Sequence, residues 1–205
     1  MATPHQFVYL ASQSPRRAQL LDQIGVHHRP LLPDPGEDPE ALEEERSGEL
    51  PLAYVQRVTR LKLEEARRRL RRRRLAPAPI LCADTTVAVG ARILGKPQDA
   101  AHASRMLRAL SGRSHRVMTC VAVLAGTQVF IETSQSRVRF AELSETTIRR
   151  YVDSGEPMGK AGAYAIQGRI AAWISHIEGS HSGIMGLPLH ETTTLLARAR
   201  VQLEL

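Results

Sequence analysis

The sequence predicts an α/β protein with a sheet flanked by helices, and three observations lead there. Short apolar runs rich in strand formers alternate with stretches of helical period. The helical stretches carry start and stop residues at their ends. The chain has 205 residues, 42% hydrophobic and 24% charged, which is enough to bury a core without disulfides or a metal. One domain over residues 1–205 fits that length.

In chain order, Phe7-Val8-Tyr9-Leu10-Ala11 reads as a strand, followed by Ser12-Gln13-Ser14-Pro15-Arg16-Arg17. Ser14 is a good N-cap and Pro15 an apt first helical residue. Ala18, Leu20, Leu21 and Ile24 keep helical spacing until Gly25. Residues 30–48, rich in Pro, Asp and Glu, read as a mobile acidic loop. A second helix runs from Pro51 to about Leu75, with Leu52, Val55, Val58, Thr59, Ala66 and Leu70 on one face, and Pro77 and Pro79 stop it. Lys62 falls within about 20° of Val55 on that wheel, at about 100° per residue. A lysine on the inward stripe either snorkels past the helix edge or faces an anion in a cleft.

Residues 80–83 read as a buried strand and 85–89 as its continuation, with Asp84 between them. Gly90 turns the chain, Ile93-Leu94-Gly95-Lys96-Pro97 follows, and Asp99 caps a helix that Ser111-Gly112 ends. Strands are expected at 115–124 and 128–140, then a helix capped by Ser144 and ending at Gly155. The last third holds glycine-rich turns, a strand around 172–177 and a helix from Leu189 to about Leu203.

Several function classes drop out. No apolar stretch approaches the roughly 18 residues of a membrane helix. Residues 1–8 lack the charged and apolar regions of a secretory signal. Cys82 and Cys120 sit in apolar runs and read as core residues of a cytosolic protein. No P-loop and no Rossmann fingerprint is present. His27, His28, His176 and His181 lack metal-ligand spacing, and Gly-Ser-His-Ser-Gly at 179–183 carries histidine where a nucleophile elbow needs serine.

The net charge of +7 equals the seven arginines at 67–69 and 71–74, so the basicity is one local run. Such a run could grip nucleic-acid phosphates. No aromatic residue interleaves to stack bases, and the solvated end of a helix is the simpler reading.

Two elements carry candidate chemistry. A strand followed by Ser-x-Ser-Pro-Arg-Arg at a helix start offers free N–H groups, hydroxyls and guanidiniums to a polyphosphate. Asp84, amid apolar residues, requires a hydrogen bond, an ion pair or a metal. Lys62, Lys96 and Glu37 add opposite charges that could gather around a metal–phosphate substrate, where hard oxygen ligands favour Mg²⁺ or Mn²⁺.

Together these segments resemble one family. Leu10-Ala11-Ser12-Gln13-Ser14-Pro15-Arg16-Arg17, Ala83-Asp84-Thr85-Thr86-Val87 and Gly95-Lys96-Pro97 are similar to motifs of the Maf nucleoside triphosphate pyrophosphatases. So are Met106-Leu107-Arg108-Ala109-Leu110-Ser111-Gly112 with His115 and Val117, and Tyr151-Val152-Asp153-Ser154-Gly155-Glu156-Pro157. Lys160-Ala161-Gly162-Ala163-Tyr164 and Gly186-Leu187-Pro188-Leu189 complete the resemblance, in family order across residues 8–196. It implies a mixed, elongated sheet with two lobes around a deep cleft, a homodimer, and hydrolysis of a nucleoside triphosphate to monophosphate and pyrophosphate with a divalent metal.

Residue by residue, the resemblance implies that Asp84 is the catalytic base and a metal ligand. It also implies that Ser12, Ser14 and Arg17 bind phosphate, that Glu37 and Lys62 close over metal and phosphates, and that Lys96 joins them from its hairpin. Arg16, Thr85 and Gln167 match the specificity positions of the branch acting on dTTP and UTP. The alternative branch acts on 7-methyl-GTP and typically carries tryptophan where this chain has Arg16. Gly159, Ala165 and Ile170 depart from the family pattern around the base segment. Removal of non-standard nucleotides and an influence on cell division come with the resemblance and are not legible in the residues.

Overall fold

The computed structural model describes residues 4–203. Residues 1–3, part of the N-terminal stretch read above, lie outside it. Val8–Leu10 forms β1, Pro15–Gln23 α1, His28–Pro30 β2 and Pro51–Arg72 α2. β3 spans Ile80–Val89, β4 Arg92–Leu94, α3 Ala100–Leu110, β5 Ser114–Ala125 and β6 Gln128–Phe140. α4 at Glu145–Asp153, β7 at Ile174–Glu178, α5 at His181–Met185 and α6 at Leu189–Arg198 follow, with 3-10 turns at Ala41–Glu43, Ala161–Ala163 and Arg169–Trp173.

The strands form one mixed sheet in the order β2-β1-β3-β5-β6-β7, with β4 also on β3. β1 runs parallel to β2 and β3, and the remaining pairs are antiparallel. Alternate residues of a strand face opposite sides of a sheet, and β3 and β5 follow that rule. Leu81, Ala83, Val121 and Val123 pack with Leu20, Leu21, Leu195 and Leu196 of α1 and α6. Val87 and Val117 lie on the same face and join Met106, Leu107, Ile148 and Tyr151 of α3 and α4. The opposite face, with Cys82, Ala88, Met118, Cys120 and Ala122, is covered by Val55, Val58, Leu63 and Ala66 of α2. That is the apolar stripe expected of the second helix.

One irregularity in the sheet positions the site. β1 pairs with β3 at Ile80 and Leu81, and β4 pairs with it from Val87 to Val89. Between them residues 82–86 have β5 on one side and, among the described residues, no strand on the other. The sheet is notched there, and Asp84 sits mid-notch.

Elsewhere the expectations shift modestly. β3 does run on through Asp84, as its two apolar halves suggest. Asp99 and Ser144 cap their helices by accepting from the His102 and Thr147 N–H groups. Ser14 stands at the N-cap of α1, but its hydroxyl makes no cap bond. α2 stops at Arg72, just before the left-handed Arg74 (φ 51°). α6 stops at Arg198 instead of near Leu203, because the chain turns at Arg200 (φ 55°) and Val201 pairs with His5. β2 and α5 are elements the sequence did not suggest.

Candidate active site

A cleft of about 870 Å³ opens over the notch. That volume lies within the range of small-molecule sites, about 300–1,000 Å³. Its walls include every residue singled out above as a candidate: Ser12, Ser14, Arg16, Arg17, Glu37, Lys62, Asp84, Thr85, Lys96 and Gln167.

The strand period sends Asp84 to the α2 face and Thr85 to the other. Lys62, two helical turns after Val55 on the same stripe, reaches Asp84 Oδ1 at 2.6 Å through its ammonium. Of the two explanations for an inward lysine, it meets an anion. The same Nζ donates to Glu43 Oε1 at 2.6 Å. Lys96, leaving β4, donates to Glu40 Oε1 at 2.9 Å and pairs with Glu43 Oε2 at 3.0 Å. The cleft floor is therefore a chain of alternating charges, Asp84, Lys62, Glu43, Lys96 and Glu40.

These pairs move the titration of their members. Burial alone would raise the Glu43 carboxyl, but the Lys62 and Lys96 ammoniums outweigh it and hold Glu43 below the usual carboxylate range. Burial likewise works against the Lys96 ammonium, and Glu40 and Glu43 carry it above its ordinary value.

Glu37 lines the cleft, but its partners there are arginines and not Lys62. Its carboxylate is bound by Arg69 and Arg72 of the arginine run, and Arg69 Nε donates to Glu37 Oε2 at 3.2 Å. The acid beside Lys62 and Lys96 is Glu43, from the turn Ala41–Glu43. Residues 34–45 contain seven carboxylates, and spacing along the chain does not choose among them. The choice is made by Tyr54 of α2, whose hydroxyl donates to the Glu43 carbonyl at 2.8 Å.

On the other face of β3, Arg17 Nε donates to the Gly186 carbonyl at 2.8 Å and its Nη1 to the Ser12 hydroxyl at 3.0 Å. Its Nη2 lies 3.4 Å from the Thr85 hydroxyl, which shares a 2.9 Å bond with Thr119. Thr119 donates onward to the Gly183 carbonyl at 2.7 Å. Arg17 thus ties the start of α1 to β3 and to the turn before α6. The Ser12 oxygen also accepts from the Ser14 N–H at 3.1 Å. No side chain caps α1, so its N-terminal end faces the cleft without one.

Arg16 and Gln167 also line the cleft. Arg16 Nη1 donates to Gln19 Oε1 at 2.6 Å, while its buried Nε makes no hydrogen bond. Gln167 is exposed into the cleft. Its segment is fixed by backbone. Gly162 (φ 69°) and Ala163 (φ 60°) are both left-handed, and a Cβ on Gly162 would come within 2.8 Å of Val87 Cγ1. Glu156 holds the far side, accepting from the Tyr151 hydroxyl at 3.0 Å and from the Arg169 N–H at 3.2 Å. Ala165 and Ile170, which replace family glycines, are buried with no left-handed backbone, so the replacements cost no strain there.

Chemically, the arrangement offers one buried carboxylate, a second carboxylate across a lysine, and cations at Arg16, Arg17, Lys62 and Lys96 around one space. Among the described residues no three His, Cys, Asp or Glu side chains form a metal cage. Asp84 and Glu43 supply hard oxygen donors suited to Mg²⁺ or Mn²⁺ only if phosphate and water complete the shell. Among the described residues, no helix is long and apolar enough to cross a membrane.

Comparison with known proteins follows this geometry. The family model for Maf-like proteins matches residues 7–199. A dTTP/UTP pyrophosphatase of Polaromonas sp. is 63% identical over 197 residues, covering 96% of this chain and 98% of its own. Proteins of the same name from Albidiferax ferrireducens and Ralstonia nicotianae are each 58% identical, covering 93% and 98% of this chain and 96% and 98% of their own. The cleft motifs, the model match and these identities agree: the chain belongs to the Maf family.

Proposed function

We propose that this chain is a nucleoside triphosphate pyrophosphatase acting on dTTP and UTP, dependent on a divalent metal. The observation that carries the reading is Asp84 in the sheet notch, 2.6 Å from a lysine shared with Glu43, inside a cleft walled by cations. The names of the relatives support the substrate, as do Arg16, Thr85 and Gln167 in the cleft lining. The reading includes the homodimer that the resemblance implies and the cytosolic location read from Cys82 and Cys120.

In this mechanism the triphosphate displaces the carboxylates of Glu40 and Glu43 from Lys96 and Lys62, and the freed ammoniums hold phosphate oxygens. Arg17 keeps the open end of α1 aimed at them. Asp84 accepts the proton of a water that attacks the α-phosphorus, the bridge to the β-phosphate breaks, and pyrophosphate leaves. A bound Mg²⁺ or Mn²⁺ would offset the developing phosphate charge, held by Asp84 and Glu43. Gln167 can both donate to a carbonyl and accept from the imide N–H of uracil or thymine.

The test is product analysis of a nucleotide panel with Mg²⁺ or Mn²⁺ in H₂¹⁸O. UTP and dTTP are expected to give monophosphate carrying the label, plus pyrophosphate. Nucleoside diphosphate and orthophosphate, or no turnover, would overturn the reaction. A preference for 7-methyl-GTP would overturn the branch.

A further inference from the structure

The arginine run at the end of α2 is neither a free cationic face nor merely a solvated helix end. Arg69 is buried, 5% exposed, and donates from Nη1 to the Leu31 carbonyl at 2.9 Å while binding Glu37. Arg72 binds Asp34 and Glu37. Arg73 donates to the Leu32 carbonyl at 2.8 Å and from Nε to Asp34 Oδ1 at 3.1 Å. Arg67 and Arg68 pair within the helix with Glu64 and Glu65. The acidic segment is therefore strapped to the helix rather than loose, which corrects the expectation of a mobile loop.

The strap runs antiparallel to α2. Residues 31–37 meet Arg69, Arg72 and Arg73, Glu43 meets Lys62 and Tyr54, and the Glu44 carbonyl accepts from Arg57 at 2.8 Å. α2 has 22 residues, so it acts as a ruler about 33 Å long at about 1.5 Å per residue. Between clasp and cleft the strap is wired to itself. Asp38 accepts from the Glu40 N–H at 2.9 Å and the Ala41 N–H at 3.3 Å, and the Glu43 N–H donates to the Glu40 carbonyl at 2.8 Å. A pull at Glu37 is therefore transmitted to Glu43.

We infer that Arg69 and Glu37 are a positioning pair: their clasp sets the register of the acidic strap along α2 and so places the Glu43 carboxylate between Lys62 and Lys96. Its catalytic consequence rests on the function proposed above, while the placement of Glu43 does not. Glu37→Gln removes the charge of the clasp and keeps the size of the side chain, leaving Arg69 its bond to the Leu31 carbonyl.

The experiment is a double-mutant cycle of Glu37→Gln and Glu43→Gln in the full chain, with hydrogen exchange at residues 40–44 measured without nucleotide. The positioning role predicts a kcat loss of roughly ten- to a hundredfold for Glu37→Gln, the scale of a misplaced group. It predicts no further loss when Glu43→Gln is already present, and faster exchange at residues 40–44. Unchanged exchange overturns the placement, whatever the enzyme does. Equal losses in both backgrounds, or no loss, overturn the catalytic consequence. If the wild type hydrolyses no nucleotide, the function fails and the exchange result alone decides the clasp.

Discussion

The two ends of the cleft are built by different means. At the end near Asp84 the positions are set by charged side chains in pairs, Lys62 with Asp84 and Glu43, and Lys96 with Glu40 and Glu43. At the Gln167 end they are set by backbone: two successive left-handed residues, Gly162 against Val87, and Glu156 holding the Arg169 N–H. Ion pairs can exchange partners when an anion arrives. A strained, close-packed backbone cannot. The contrast fits a site that must rearrange around phosphates and yet present a fixed edge to a base.

The largest expected effect breaks the charged end. Asp84→Asn keeps the size and some hydrogen bonding of the side chain but removes the base, so kcat should fall by at least about 10², the scale of general-base catalysis. Near-normal turnover of the purified variant would remove Asp84 from its role. At the rigid end, Gly162→Ala places a methyl about 2.8 Å from Val87 Cγ1 at φ 69°. Strain and overpacking together predict about 3–4 kcal/mol of lost stability by denaturant unfolding. A variant as stable as wild type would show that this segment yields.

Acid should separate the two ends. His115 lies behind the rigid segment, its Nε2 2.7 Å from the Tyr164 hydroxyl, and burial pushes its pKa down to about 4. The unfolded imidazole titrates near 6.5, so His115 contributes stability above about pH 6.5 that drains as pH falls toward 4, up to about 3 kcal/mol. The carboxyls of Glu37 and Glu43 are held low, so their contribution persists to lower pH and is lost only as pH falls through the carboxylate range. Melting temperature measured from pH 7 to 4 should therefore fall in wild type and fall less in His115→Phe. Parallel curves would assign the acid response elsewhere. The smallest effect sharpens specificity. Gln167→Glu removes a donor to a base carbonyl and should lower kcat/KM for UTP relative to GTP by about 1–2 kcal/mol, roughly tenfold or somewhat more. An equal loss for all nucleotides would mean that Gln167 supports the phosphates or the fold.

Much of this was legible in the chain because it is local. The inward lysine of α2 follows from helical period, Asp84 from its place in an apolar run, and the caps at Asp99 and Ser144 from residue type. What escaped was decided by distant partners. β2 is three residues ending in proline, and its strand character comes from its parallel register with β1. α5 is a five-residue helix whose cap, Ser180, also bonds Ser136 of β6. Glu43 displaces Glu37 beside Lys62 because Arg69 and Tyr54, both on α2, divide the acidic segment between them.

The bond from Arg17 to the Gly186 carbonyl closes a loop of 169 residues. Long-range closures of this kind form late in folding, after local helices and hairpins. A chain emerging from synthesis contains Arg17 early, but its Gly186 partner only after most of the chain has been made. The β5–β6 hairpin, by contrast, can form as soon as it is made. On the function proposed above, the site is complete only when residues at both ends of the sequence have come together around β3.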